Sequence, residues 1–593
     1  MNNAHTFYIP VMGTGFTIDT PLKIAKYGIS SVISLVDDVL IEQMRKFHSE
    51  KANELYTPIT SQDKDARAKR ITAYLNLLHK LIQKQVQKMQ ASPFDTNEEL
   101  NKYFQLLPAS SPLKEPYEKM LKLENSAHNT DKIALQEQLK AAIIPGDIDV
   151  NIMTKLNKSN SYNNEKLPRE FDDALSALRG YANSDLSSSV VFSAGFNPAL
   201  YGYLKEFKDF FPNADGCFKK KIILKVSDYR SAEIQGKFLA KHGIWVSEYR
   251  IESSINCGGH AFLNDGNLLG PVLEEFKQGK PQLLETLREI YIKALNKMQK
   301  YNENIALDIR ITVQGGIGTS QEHNFLIDYY NVDAAGWGTP FMLVPEVTNL
   351  DNEHIDALLN ATEKDVYLSD SSPFGIPFWN LATSASEKMR ETLIAQGKPG
   401  AVCTLGFVKL NTEFTQDPIC ASSNAYQKCK LLQLKETNLQ EEEYKIAEKG
   451  ILSKSCICCG LAASATKKYG IDENAKAAVC PGPNIINFAK KATLMEMVEH
   501  IYGKISLLKN KNRPHMFVKE LSLYIDNLCN EIKKISRDSL NGPQKKLQDM
   551  KNNLNEGIIY YRNIAKNFTE QQHINFVNHL DELAHKLKLL VNV

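Results

Sequence analysis

Ile311-Thr-Val-Gln314-Gly315-Gly316-Ile-Gly318-Thr-Ser320, followed after one helical segment by Asp333-Ala-Ala-Gly336-Trp-Gly338-Thr339-Pro-Phe341, decides how this chain is read. Each stretch is a short apolar run that ends in glycines. Glycine lets the backbone approach a ligand, and free amides at a helix start bind a phosphate dianion. Two ordinary tight turns would look the same locally. As the last two strands of an alternating strand–helix chain, the pair points instead to the phosphate end of a barrel.

Working outward, the earlier strands fall at Tyr8–Met12, Ser31–Val36, Asp147–Met153, Ser188–Ala194, Lys220–Val226 and Ile244–Ile251, with the last two at Ile309–Gly315 and Asp333–Gly338. Helical patterns follow most of them, among them Pro21–Tyr27, Ser231–Lys241 and Gln321–Tyr329. Eight strand–helix units suit a closed parallel barrel. Between the second and third strands, Ile71, Tyr74, Leu75, Leu78, Ile82, Val86 and Met89 recur at helical spacing. The fold class expected is α/β, a (β/α)8 TIM barrel with a helical insertion and a mostly helical C-terminal extension. The barrel takes 1–36 and 147–385, the insertion 37–146, a cysteine-rich extension 386–500 and a helical region 501–593.

Composition excludes several classes. The 593 residues carry 71 Lys plus Arg against 69 Asp plus Glu, a net charge of +2, which gives no reason to expect nucleic-acid or polybasic membrane binding. Apolar residues at 43% and charged residues at 24% are those of a globular protein. No apolar run reaches the length of a membrane span, and the start lacks a secretory pattern. Ten cysteines are too few for a disulfide framework, so a reduced, cytoplasmic protein is expected. Dinucleotide, phosphate-loop and zincin motifs are absent from the sequence.

The second informative motif is Cys257-Gly258-Gly259-His260, just after the sixth strand. A histidine set by two glycines at a barrel rim can lie against a flat cofactor and exchange a proton with substrate. Glu248, Arg250 and Glu252 alternate on the strand before it and share one face. They form either a structural ion-pair ladder or a recognition site for a polar substrate.

On these residues the chain resembles the nitronate monooxygenase (2-nitropropane dioxygenase-like) family of FMN-dependent TIM barrels, a group that includes flavin-dependent enoyl reductases. The family rim pattern G-x-E-A-G-G-H is similar to Glu252–His260, its A-G-G-I to Gln314–Ile317, and its M-G-T-x-F to Trp337–Phe341. Asp149–Met153, Ile9–Gly13 and Val366–Asn380 resemble other family segments. The resemblance implies FMN as cofactor, held by Met12, Gly13, Asn151, Lys225, Gly258, Gly259, Gln314, Gly315, Gly316, Gly338 and Thr339. It implies His260 as the catalytic acid–base and Lys225 as a cation near the flavin ring. Extra residues between Glu252 and Gly258, and Ala-Phe after His260, depart from the family pattern.

Cys456-Ile-Cys458-Cys459 and Cys480-Pro-Gly-Pro lie outside that resemblance. Four thiolates can hold an iron–sulfur cluster or zinc, with Cys456, Cys458, Cys459 and Cys480 as the candidate ligands. A redox dithiol and buried structural thiols are the other readings.

The expected activity is therefore an FMN-dependent oxidoreductase of the nitronate monooxygenase kind, oxidising small polar substrates with O2. The alternative is a flavin-dependent enoyl-thioester reductase using NAD(P)H. A cofactor-free barrel acting as a scaffold is a third reading. The expected partners are a small-molecule substrate and NAD(P)H, with homo-oligomer contacts through the helical regions.

Overall fold

The computed structural model describes residues 4–123, 130–162, 165–193, 195–510, 512–538 and 543–590. Eight parallel strands form one sheet: β1 (Phe7–Tyr8), β2 (Ser31–Ser34), β3 (Ile148–Met153), β4 (Ser188–Ser193), β5 (Lys220–Val226), β6 (Val246–Glu252), β7 (Arg310–Gln314) and β8 (Ala334–Gly336). Each strand pairs with its sequence neighbour, except that β1 pairs with β8. The ring is closed by Ile9, whose N–H donates to Ser30 O at 3.0 Å and whose carbonyl accepts from Val32 N–H at 3.0 Å. This is the expected (β/α)8 barrel. Several strands are shorter than their apolar runs suggest, because the chain leaves the ladder where the rim loops begin. Ala194, the expected end of the fourth strand, lies outside the described residues.

Among the described residues, the segment between β2 and β3 holds helices joined by loops and no strand. Asp37 caps the helix Asp38–Lys51 by accepting from Leu40 N–H at 2.8 Å. The helix Ala66–Ala91 then fills the outer layer between β2 and β3. Its apolar stripe, from Ile71 to Met89, is buried, and Thr72 Oγ1 donates to Gly180 O at 2.8 Å on the helix Asp173–Ala182.

Alternation on β6 carries three charged side chains into the barrel. Glu248 and Arg250 are 4% and 3% exposed, so water cannot stabilise them and each needs a partner. Arg250 donates from Nε and Nη2 to Glu248 Oε1 at 2.9 and 2.7 Å, and Thr312 Oγ1 donates to the same oxygen at 2.6 Å. The Tyr8 ring lies 4.0 Å from the Arg250 guanidinium. Burial opposes ionisation of Glu248, but Arg250 and Arg310 outweigh it and hold the carboxyl below its usual range. The pair is the structural ladder of the two readings above.

After the barrel come an antiparallel hairpin, β9 (Val366–Ser369) with β10 (Phe378–Leu381), and a long extension. It ends in three helices, Met516–Asp538, Pro543–Ile564 and Glu570–Leu589, the first two of which pack on the barrel helix Leu269–Lys297. One continuous apolar cluster includes side chains from the barrel, the inserted helices and these last helices. Among the described residues, no helix is long and apolar enough to cross a membrane.

Replacing Arg250 by Met leaves Glu248 buried without its main partner. The expected loss of stability is about 3–5 kcal/mol, read from urea unfolding at neutral pH; a variant as stable as the parent would remove the pair from this role.

Candidate active site

The loop after β6 is built to one shape. Gly259 adopts φ +100°, and a Cβ there would lie 2.1 Å from a Phe378 ring carbon, so only glycine lets the loop lie against β10. Trp379 N–H donates to Gly259 O at 2.7 Å and Ala261 N–H to Pro377 O at 2.9 Å. The same loop is pinned from the other side by the C-terminal helix Met516–Asp538. Ser253 Oγ donates to Glu520 Oε1 at 2.6 Å, Leu269 N–H donates to Glu520 Oε2 at 2.8 Å, and Tyr524 OH donates to Asn264 Oδ1 at 2.9 Å.

This loop brings His260 to a cavity at the C-terminal mouth of the barrel, of about 870 Å³ with its opening included. Gly13, Asn151, Lys225, Gly258 and His260, all expected site residues, line it together. Its walls are apolar and aromatic, from Met153, Leu156, Phe262, Phe374, Phe378 and Leu461. On the floor a single oxygen, Glu252 Oε1, accepts from Lys225 Nζ at 2.6 Å, Gln314 Nε2 at 2.7 Å and Asn256 Nδ2 at 2.5 Å. Tyr8 OH donates to Gln314 Oε1 at 3.2 Å and so fixes which way that amide faces.

Three polar atoms of lining residues, Thr14 Oγ1, Asn151 Oδ1 and Asn256 Oδ1, are buried without a hydrogen-bond partner. Buried polar groups are ordinarily satisfied, so these orphans mark where a polar ligand edge belongs. His260 Nε2 lies 2.8 Å from Ser372 Oγ, and its ring meets Phe374 and Phe378 edge-on. Burial pushes the imidazole down to about 4, with Lys155 and Lys225 adding to the effect. At neutral pH it is uncharged. A second chamber adjoins the first through Lys225, Glu252 and Phe262, and runs out along Phe196, Val226 and Ile234.

The other expected residues lie elsewhere. Met12 is fully buried behind Gly338, which packs on Cys257 and Pro10. Gly259 supports the loop, as described, and Gln314 sits in the floor network. Gly315 and Gly316 pack against Ser253, Ile255 and Asn256. Of the four residues expected at a phosphate, Gly338 and Thr339 are covered by the protein's own groups, while Gly316 lines a separate cavity with Asn484, Lys509 and Arg513. Glu322, at the third position of the helix Ser320–Asp328, accepts from Gly318 N–H at 2.8 Å and Thr319 N–H at 3.2 Å. That carboxylate is 2% exposed and is paired with Arg513. Gly482 N–H donates to Thr339 Oγ1 at 3.1 Å, and a Cβ on Gly482 would lie 2.5 Å from that oxygen. An internal carboxylate thus takes the amides of Gly318 and Thr319, and a loop from the extension covers Thr339.

The four candidate metal ligands are also not assembled as expected. Cys480 is buried against Cys257, whose Sγ lies 3.7 Å from Cys480 O, while Cys456, Cys458 and Cys459 stand at the start of the helix Ile457–Lys468. Among the described residues, the group of three ligand atoms within 4.8 Å of one another is Asp351, Glu353 and His354. Lys467 already pairs with both of those carboxylates, at 3.7 and 3.3 Å.

The cofactor implied by the family resemblance is FMN. The cavity fits its flat ring system: apolar faces for the ring, orphaned polar atoms for its edge. Of the four residues expected at its phosphate, Gly338 and Thr339 are covered by the protein's own groups and Gly316 faces a separate cavity. Asn256 and Thr14 escaped the sequence reading although both neighbour its motifs. Ile457 and Leu461 had no local signal, and Cys458 was marked only as a candidate metal ligand, since their place at the cavity depends on packing about two hundred residues away from the rim loop.

No protein-family profile and no curated protein matches this chain. Among solved structures it is similar to the enoyl reductase domain of MlnA from the macrolactin cluster of Bacillus amyloliquefaciens, at 12% identity over 89% of this chain and 97% of that one, with a TM-score of 0.39. It is also similar to FabK from Thermotoga maritima, at 11% identity over 88% and 96%, with a TM-score of 0.35. The barrel itself rests on the chain's own strand pairings.

The depressed His260 value has a signed consequence. Its folded value of about 4 lies below the ordinary 6.5, so the unfolded chain takes up the proton first. Stability is expected to fall as pH drops from about 6.5 towards 4, and His260→Gln flattens that fall when urea midpoints are compared across the range. His5, His323, His500 and His515 are shifted the same way, while the raised carboxyls of Asp37, Asp149 and Glu520 act in the opposite sense, so the difference between parent and variant is the quantity that isolates His260. A His260 ring titrating near 6.5 by NMR contradicts the assignment.

Proposed function

We propose that the protein is a flavin-dependent oxidoreductase that reduces an extended, conjugated carbonyl substrate of the enoyl-thioester class, with NAD(P)H as the electron source. The observation that carries this reading is the two-chamber site: an apolar-walled cavity edged by orphaned polar atoms, adjoining at Lys225 a second chamber with apolar sides. Nitronate oxidation, the first expectation from the sequence, needs a small pocket and leaves the second chamber unused. The names of the enoyl reductases above agree with the reading, but their likeness is too low to carry it.

A bound flavin supplies hydride chemistry at its ring. Asn151, Asn256 and Thr14 hold the polar edge of that ring. Lys225 brings a cation to the same edge, its charge balanced and its position set by Glu252. Phe262, Phe374 and Phe378 exclude water from around His260. The Ser372 hydroxyl at Nε2 lets the uncharged His260 relay a proton: Nδ1–H gives its proton to the substrate carbon next to the carbonyl as Nε2 takes one through Ser372, and solvent restores it when the product leaves.

The test is to load the purified chain with FMN, reduce it anaerobically with NAD(P)H, and add either a crotonyl-type thioester or a nitronate. Reoxidation by the thioester without oxygen is expected. Turnover only with nitronate and air, or no flavin uptake at all, overturns the proposal. His260→Gln is expected to lower kcat/KM by roughly 10²–10⁴-fold, while Asn151→Ala weakens flavin binding in a fluorescence titration.

A further inference from the structure

Behind the turn that follows β7 lies a cavity that shares no lining residue with either chamber of the candidate active site. It measures about 910 Å³ with its opening included, and its lining includes Gly316, Asn484, Asn487, Lys509, Arg513 and Lys519. Arg513 is built into the wall. Its side chain is 5% exposed; Nη2 donates to Glu322 Oε2, and Nη1 donates to Pro514 O at 3.1 Å. Gly318 makes room for this arrangement, since a Cβ there would lie 2.8 Å from Arg513 Nη2 and 2.4 Å from Asn484 Nδ2. With both ends of the guanidinium held, Nε is buried without a hydrogen-bond partner. Among the described residues it is the one lysine or arginine nitrogen in that state. A buried charged donor without an acceptor is costly, so this orphan points to an anionic ligand.

The charges around the cavity agree. Glu322 answers Arg513, and Glu363 answers Lys519 at 3.0 Å. Lys509 Nζ has only a backbone carbonyl, Leu359 O at 3.3 Å, so one positive charge is left over. Beside it, Asn484 Nδ2 donates to Ile317 O at 3.1 Å, which leaves its second N–H for a ligand. No aromatic side chain lines the cavity.

We propose that this cavity binds a small phosphate ester of a hydroxyl-bearing compound, its phosphate between Lys509 and Arg513 and its hydroxyl groups against the asparagine amides. A guanidinium with a second cation suits a phosphate. Amides without an aromatic ring suit hydroxyl groups better than a nucleobase, which binds by stacking. Side chains make this site, because the amides of Gly318 and Thr319 already go to Glu322. Ile255 lines this cavity and its neighbour Asn256 lines the His260 cavity, so the backbone of that turn separates the two. The phosphate belongs to a molecule other than a flavin, and the proposal stands whether or not the chain binds FMN.

The test is calorimetric titration of the full chain at constant ionic strength with ribose 5-phosphate and with inorganic phosphate, each with and without saturating FMN. A single saturable site is expected, tighter for the ester than for inorganic phosphate and unaffected by FMN. Lys509→Ala, at an exposed position, leaves the ligand-free chain as stable as the parent and weakens ester binding about tenfold. Arg513→Lys keeps a charge for Glu322, removes Nε and weakens binding by a similar factor. If that variant does not fold, Lys509→Ala alone decides. Absence of binding, an unchanged affinity in Lys509→Ala, or competition with FMN overturns the site. Binding of the ester no tighter than that of inorganic phosphate overturns the recognition of hydroxyl groups.

Discussion

Three charges on alternate positions of one inner strand set the terms for the rest of the barrel. β6 is paired on both edges, by β5 and β7, and alternation along it turns Glu248, Arg250 and Glu252 to one face, the inner one. Burial makes each of them costly unless a neighbour answers it. Arg250 answers Glu248 at mid-barrel, with Thr312 from β7 and Tyr8 from β1 closing around the pair. One step nearer the mouth, Glu252 gathers Lys225, Gln314 and Asn256 onto a single oxygen. The cavity floor is therefore a consequence of satisfying a buried carboxylate, and it places both an ammonium group and an amide at the point where a ligand edge would lie.

The extension beyond the barrel completes the mouth. Glu520 and Tyr524 clamp the loop that carries His260, Leu461 walls the cavity, and Gly482 closes over Thr339. Without the last two hundred residues the His260 loop would lose half its anchors and the cavity one of its walls. The continuous apolar cluster agrees with this: the extension and the barrel share a core and do not behave as beads on a string. Cys458, on the same extension, stands among the groups that line the cavity.

The turn after β7 shows how one local signal can support two opposite outcomes. Glycines before a helix start read as a phosphate site, because free amides attract an anion. Here the anion is internal. Thr319-Ser-Gln-Glu322 is a capping box, present in the sequence itself, and its carboxylate takes the amides a phosphate would have used. Arg513, arriving from far along the chain, balances the charge. The competition between a tethered carboxylate and a diffusible phosphate favours the tethered group once the turn is sealed from water.

What the sequence determined by itself was everything that repeats with a short period. Alternation and helical spacing placed the eight strands, the helical character of 37–146 and the inward face of β6, because those periods follow from backbone geometry within a few residues. The Gly258-Gly259-His260 motif was legible for the same reason: its glycines answer to a local need to lie against β10. Which sulfurs meet, which polar atoms are left without partners, and what fills the turn at Gly315–Thr339 were decided only by the tertiary structure. They depend on contacts that no short window contains, such as Gly482 with Thr339, 143 positions apart, and Glu520 with Ser253, 267 apart. No local pattern specifies such a contact, because it exists only once the shared core has brought the two segments together.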